Sequence, residues 1–148
     1  MPEHPRWTAP VTVALSLAGL GTASYLTYMH YTEPAGLACP DTGVVNCLKV
    51  TTSAQSMVGP VPVAVLGVVF FAAMLVLSLP WMWRSSNPWV SRARLAGAAV
   101  GMASVLYLVG VELLAVRAIC LWCTAVHVLT FGLFVTCLAA SPPPVGSR

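Results

Sequence analysis

Residues 118–127, "AICLWCTAVH", place two cysteines three positions apart at the start of a long apolar segment. From Ala118 to Ala140, His127 is the only side chain that can carry a charge near neutral pH. A helix of roughly 20 apolar residues is long enough to cross the hydrocarbon core of a bilayer. The stretch therefore predicts a transmembrane helix that begins with a Cys-x-x-Cys motif.

Three other segments have the same apolar character. Of the 148 residues, 58% are hydrophobic and only 7% are charged, whereas soluble domains carry about 25% charged residues. The predicted spans cover about residues 10–31, 61–83, 95–116 and 118–140. This pattern argues against a soluble domain. It predicts an all-α integral membrane four-helix bundle, a single domain over residues 1–148, with an extracytoplasmic loop between spans one and two and a disordered cytoplasmic tail at 141–148.

The first apolar segment is expected to remain as a span. It is longer than the 7–15-residue core of a secretory signal, and no small-x-small cleavage site clearly follows it. The sequence "AGLA" before Cys39 leaves a lipoprotein-like alternative, which is less favoured.

Basic residues predict the orientation in the membrane. With four spans, Arg6, Arg84, Arg92, Arg94 and Arg148 lie on one side, and Lys49 and Arg117 lie on the other. Cytoplasmic loops carry the excess of Lys and Arg. We therefore expect a multi-pass protein of the cell (inner) membrane with both termini in the cytoplasm.

This orientation places four of the five cysteines outside the cytoplasm. Cys39 and Cys47 lie in the first external loop, Cys120 and Cys123 begin the last span, and Cys137 is predicted to be a small core residue. Extracytoplasmic thiols meet an oxidising environment, so disulfide chemistry is the leading interpretation. A zinc site is less favoured because structural zinc sites use closely spaced pairs, and Cys39 and Cys47 are eight residues apart. A membrane scaffold with two structural disulfides is the non-enzymatic alternative.

The Cys-x-x-Cys pair has a setting that favours reactivity. Backbone N–H groups and the dipole at a helix N-terminus stabilise a thiolate. Arg117, three residues before Cys120, either adds to this effect or anchors the helix at the membrane interface.

One face of the last span carries several groups in a row. Cys120, Cys123, His127, Phe131 and Phe134 recur at spacings of three and four residues, which places them on one side of a helix. A planar redox-active ring such as a quinone would fit beside that face, although aromatic side chains at this spacing also pack in ordinary cores. An ionisable residue inside a membrane is a functional candidate by default, which favours a role for His127.

Four features together resemble bacterial members of the vitamin K epoxide reductase family. They are "SYLTYMHY" at the end of the first span, the pair Cys39 and Cys47, "GPVPVAVLG" entering the second span, and "VELLAVRAICLWC" before the fourth. Ser53, six residues after Cys47, stands where the family has a functional serine, and a helix cap before span two is an equally favoured role for it. The resemblance extends from about residue 11 to residue 140.

The resemblance implies a membrane thiol:quinone oxidoreductase that supports disulfide formation. A DsbA-like or thioredoxin-like protein would reduce the Cys39–Cys47 disulfide, and Cys39 is the more accessible candidate for that contact. Cys47 would exchange with Cys120, and Cys123 would pass electrons to a quinone, either menaquinone or ubiquinone. Quinone reductases of the DsbB type carry the two cysteine pairs in the reverse order, which disfavours that alternative.

The resemblance also implies ligand-binding residues, with two departures. Ser53, His127 and Phe131 are the expected quinone contacts. His127 stands where vertebrate members have a tyrosine, and residues 61–79 lack the asparagine that those members use. These departures disfavour vitamin K epoxide as the substrate. A fused thioredoxin-like domain is also missing, so we expect the thiol partner to be a separate protein.

Two further ionisable residues lie near the external ends of predicted spans. Glu112 lies in the third span near its external end, where it could shuttle protons, pair with Arg117 or reach water. His30 is expected to occupy the interfacial belt at the end of the first span.

Overall fold

The computed structural model describes residues 5–141, and this part of the chain is mostly helical. The elements in chain order are helix α1 (Thr8–Thr32), helix α2 (Cys47–Thr51), strands β1 (Met57–Val58) and β2 (Val61–Pro62), and helices α3 (Val63–Leu77), α4 (Pro80–Trp83), α5 (Pro88–Gly110) and α6 (Leu121–Ala139). Short 3₁₀ turns cover Pro34–Gly36 and Ala54–Ser56, and a π-helical turn covers Val111–Val116. The predicted tail, apart from Ser141, lies outside the described residues.

Within residues 5–141, three helical segments are long and apolar enough to cross a membrane. They are Thr8–Thr32, Pro88–Val116 and Leu121–Ala139. Helix α3 is also apolar but has only 15 residues. The expected membrane character is therefore confirmed, with three long helices and one shorter apolar helix.

The second apolar segment differs from a single helix over residues 61–83. It begins as strand β2, continues as α3 and breaks before α4, with Leu79 in an extended conformation at ψ 146°. Pro80 explains the break, because proline lacks an N–H donor and its ring disfavours helical geometry in the residue before it.

Helix α5 begins at Pro88, earlier than the predicted start near Leu95. The Asn87 side chain caps it by accepting the Trp89 N–H at 3.0 Å, and Pro88 occupies the first turn, where its missing N–H has no cost. The predicted spans 61–83 and 95–116 place Arg92 and Arg94 in the connection between them, which was wrong, because both residues belong to α5.

Arg94 joins α5 to the break between α3 and α4. Its Nε donates to the Leu77 carbonyl at 2.9 Å, and its guanidinium lies 3.5 Å from the centre of the Trp83 ring. The hydrogen bond satisfies a carbonyl at the end of α3, where the helix leaves its last carbonyls without intrahelical donors. Arg94 is buried, so it serves packing as well as charge.

The long helices pack on one another, with α1 against α3 and α6, and α5 against α3 and α6. Two buried clusters result. The cysteine cluster contains Leu26, Leu37, Cys47, Val50, Val116, Ala118 and Cys120. The central cluster contains Ala23, Phe71, Met74, Ala98, Leu133 and Cys137. Cys137 is a buried core residue, as predicted.

A close approach between α1 and α3 depends on Gly19. An added Cβ at this position would overlap the ring of Phe71, which is completely buried and has no room to move. By contrast, a Cβ at Gly21 would meet no atom within 4 Å in the described structure.

We expect Gly19→Ala to lower the free energy of unfolding by roughly 1–3 kcal/mol relative to Gly21→Ala, because overpacking a filled core costs about this much. Thermal denaturation of the two variants in detergent measures the difference. Equal stability of both variants would contradict this packing of α1 on α3.

Candidate functional site

Cys39 and Cys47 form a disulfide in the loop between α1 and α3, with their Cα atoms 6.0 Å apart. Cys47 begins helix α2 and is buried, at 2% exposure. The Asn46 side chain caps this helix by accepting the Lys49 N–H at 2.8 Å. Cys39 is half-buried and lines a surface cleft of about 170 Å³ together with Asp41 and Cys47. Cys39 is therefore the more accessible residue of the pair.

Cys120 and Cys123 are free thiols at the start of α6. Cys120 is the N-cap residue and is completely buried, and its Sγ accepts the Cys123 N–H at 3.3 Å. A backbone donor aimed at Cys120 Sγ stabilises negative charge on that sulfur. Cys123 is half-buried. The two thiols thus have different surroundings although they belong to one turn.

A backbone pairing joins the loop disulfide to the Cys-x-x-Cys turn. The Ile119 N–H donates to the Val44 carbonyl at 2.8 Å, and the Asn46 N–H donates to the Ile119 carbonyl at 3.0 Å. Cys47 directly follows Asn46, and Cys120 directly follows Ile119. The pairing therefore brings one cysteine of each pair into the same buried cluster.

Trp122, within the Cys-x-x-Cys motif, makes a second connection to the loop. Its indole N–H donates to the Ala38 carbonyl at 2.8 Å, next to Cys39. Its ring centre lies 4.7 Å from that of Tyr25, whose hydroxyl accepts the Ala38 N–H at 3.5 Å. Sequence reasoning missed this residue, because a side chain that bonds a distant carbonyl produces no spacing pattern in the sequence.

A cavity of about 930 Å³ lies beside the free thiols, with walls from α1, α3, α5, α6 and the loop before α3. Most of its lining is apolar and includes Phe70 and Phe71. The polar or ionisable groups that line it include His30, Ser53, Glu112, Cys123 and His127. Cys120 is not among the described residues that line it. Cys123 is therefore the cysteine of its pair that faces the cavity.

The structure places two of the three expected ligand contacts at this cavity. Ser53 and His127 line it, whereas Phe131 is 53% exposed and does not. The position of Phe131 off the cavity wall has a geometric reason, and its contact with a quinone stays a prediction. At 3.6 residues per turn, each step of four residues advances about 40° around a helix, so two steps carry Phe131 about 80° from Cys123. Thr130 takes the place on the cavity wall.

Ser53 does not act as a side-chain helix cap. Its hydroxyl donates to the Val50 carbonyl at 2.7 Å, while its own carbonyl accepts the Ser56 hydroxyl at 2.6 Å. His30 contacts Tyr31 edge-on, as an interfacial residue does, but it also lines the cavity. His30 is therefore a cavity residue that the sequence did not reveal.

We expect Trp122→Phe to speed amide hydrogen exchange in residues 38–47 about fivefold, because loss of one hydrogen bond costs about 1 kcal/mol. Mass spectrometry of the detergent-solubilised protein measures the rate. Trp89→Phe is the matched control, since Trp89 is 71% exposed on α5. Unchanged exchange in the Trp122 variant would show that its bond to Ala38 does not hold the loop.

The comparisons with known proteins agree with this arrangement of cysteines and apolar helices. The sequence pattern of the vitamin K epoxide reductase family matches residues 10–138. No curated protein matches the chain. The match covers most of the 148 residues, including both cysteine pairs. The chain belongs to the vitamin K epoxide reductase family, whose members are membrane oxidoreductases that act on thiols and use quinones as electron acceptors.

Proposed function

We propose that this protein is a thiol:quinone oxidoreductase of the cell membrane that reoxidises an extracytoplasmic DsbA-like or thioredoxin-like protein. The observation that carries the proposal is the shared burial of Cys47 and Cys120, one from each pair, beside a cavity that only Cys123 of the Cys-x-x-Cys pair lines. Such an arrangement gives electrons a route from an accessible disulfide to an apolar cavity.

The first exchange takes place at the loop. A thiolate of the partner attacks Cys39, the more accessible sulfur, and Cys47 leaves as a thiolate. The partner's second thiol then attacks the partner cysteine that is bonded to Cys39. This closes the partner's disulfide and releases Cys39 as a thiolate. The partner leaves oxidised and the loop pair becomes a dithiol. Each step needs one thiolate and one accessible sulfur.

The second exchange takes place inside the cysteine cluster. Cys47 attacks Cys120 of an oxidised Cys-x-x-Cys pair, and Cys123 leaves as a thiolate. Cys39 then attacks Cys47, which restores the loop disulfide and releases Cys120. The resulting state has an oxidised loop pair and two free thiols on α6.

The cavity suits a quinone in size and chemistry. Ligand pockets commonly measure about 300–1,000 Å³ and combine apolar walls with a few polar groups, and this one offers Ser53 and His127 on such walls. Bound there, menaquinone or ubiquinone would accept the two electrons and two protons that the dithiol loses. Cys123 faces the cavity and would deliver the electrons, while Ser53 and His127 would orient the ring.

We further propose that α3 is a fourth span. At 1.5 Å per residue its 15 residues cover about 22 Å, less than the roughly 30 Å of a hydrocarbon core, and the adjoining β2 and α4 would cover the rest. Four spans place both termini on one side of the membrane, and the excess of basic residues on that side assigns it to the cytoplasm. The two cysteine pairs then face the extracytoplasmic side, where the partner acts.

The first test follows quinone absorbance with the purified protein, a reduced thioredoxin-like partner and a quinone. We expect Cys123→Ala to abolish quinol formation, because Cys123 is the thiol at the cavity. Cys137→Ala is the matched control and should retain wild-type turnover, since Cys137 lies in the central cluster. A wild-type protein whose loop disulfide resists the partner, and which forms no quinol, would instead be a scaffold with a structural disulfide.

The second test traps the internal exchange. In a Cys39→Ala/Cys123→Ala double variant, Cys47 and Cys120 have lost their own partners and should form a disulfide with each other. Peptide mapping under non-reducing conditions detects this bond. A Cys47→Ala/Cys123→Ala variant is the control, and a bond from Cys39 to Cys120 there in equal yield would contradict the assigned order.

A further inference from the structure

Glu112 is a buried carboxyl group in an apolar span, with 6% exposure, and it lines the cavity together with Cys123 and His127. It does not reach water at the surface. It also does not pair with Arg117, because the described part of the chain contains no ion pair between them and Arg117 is exposed. A charge in such a place is costly without a partner, so neither structural explanation for Glu112 applies.

The backbone that follows Glu112 leads directly to the Cys-x-x-Cys turn. Glu112 lies in the π-helical turn Val111–Val116, and its carbonyl accepts the N–H groups of Arg117 and Ala118. Arg117 adopts a left-handed conformation, at φ 55°, which ends the helix and turns the chain toward Cys120. The Cys120 N–H then interacts with the Glu112 carboxylate. Such π turns occur frequently at functional sites.

The carboxyl group is also close to both reactive sulfurs. Glu112 interacts electrostatically with Cys120 and with Cys123. Glu112 therefore combines an electrostatic interaction with the dithiol and access to the cavity.

We propose that Glu112 carries protons from the Cys120 and Cys123 thiols to the quinone in the cavity. This inference rests on the proposed function, because it assigns the proton path of that reaction. Oxidation of the dithiol forms one S–S bond and releases two electrons and two protons, and reduction of a quinone to a quinol consumes the same number. The Glu112 carboxylate takes a proton from a thiol and returns it to a quinone oxygen, and a second passage completes the balance.

The two half-reactions separate this role from a structural one. Thiol exchange between the partner and the fully oxidised protein needs no proton delivery into the cavity, so Glu112→Gln should change its rate less than twofold. Mixing the pre-reduced protein with quinone isolates the second half-reaction, and Glu112→Gln should slow it about 100-fold or more, as expected for loss of a proton-transfer group. Glu112→Asp should restore part of the rate.

Glu33→Gln is the matched control, since Glu33 is an exposed glutamate after α1. It should leave both half-reactions unchanged. An equal loss of both rates in Glu112→Gln would overturn the proposal and assign Glu112 to positioning of the Cys-x-x-Cys turn.

A measurement without quinone tests the carboxyl group directly. The infrared difference spectrum between the dithiol and disulfide forms should contain a glutamate carboxyl signal, because an S–S bond replaces the two thiols with which the Glu112 carboxyl group interacts. Isotopic labelling of glutamate identifies it, and the signal should persist in Glu33→Gln and vanish in Glu112→Gln. A wild-type spectrum without this signal overturns the proton path even if quinone reduction occurs. If the signal is present but wild type reduces no quinone, the proposed function fails instead.

Discussion

The site depends on the pairing of Val44 and Asn46 with the backbone of Ile119. Peptide groups beside a membrane core have few water molecules to bind, so an unpaired N–H or carbonyl there is costly. Pairing with Ile119 satisfies these groups and at the same time sets the position of the neighbouring cysteines. Without it, the bond from Trp122 to Ala38 would be the remaining hydrogen bond between the loop and α6 in the described residues, and the position of Cys47 relative to Cys120 would be less well defined.

The two thiols on α6 have different surroundings because they point in different directions from one turn of the helix. Cys120 is sealed in the cysteine cluster beside Cys47, whereas Cys123 lines the cavity. In the proposed reaction, this difference in position would separate exchange with a water-soluble partner from chemistry with an apolar acceptor. Thiol exchange needs accessible sulfur at the surface, and proton and electron transfer to a quinone benefits from an enclosed apolar site with few polar groups.

The chain departs from regular helix geometry at two places, the π turn that ends at Arg117 and the break at Leu79–Pro80. The π turn and left-handed Arg117 end one span and begin the Cys-x-x-Cys turn, and the Leu79–Pro80 break is secured by Arg94. Each break leaves backbone groups without partners. Distant residues supply the missing hydrogen-bond partners. Arg94 donates to the Leu77 carbonyl near the Leu79–Pro80 break. The backbone of Val44 and Asn46 pairs with Ile119 near the π turn.

The sequence by itself determined the membrane character, the family and the order of the cysteine pairs, because hydrophobic length and local spacing depend only on neighbouring residues. It also indicated His127 and Ser53, which line the cavity. It placed Phe131 on the same helix face as Cys123, but a small rotation per turn accumulates along a helix and carries Phe131 off the cavity wall. It also placed Arg94 outside the third span, whereas the caps at Asn87 and Pro88 start α5 before Arg94. Only the tertiary structure decided which cysteines meet, that Trp122 holds the loop and that Glu112 faces the thiols. These contacts join residues far apart in the chain, and their energies depend on burial and on backbone partners that no local pattern encodes.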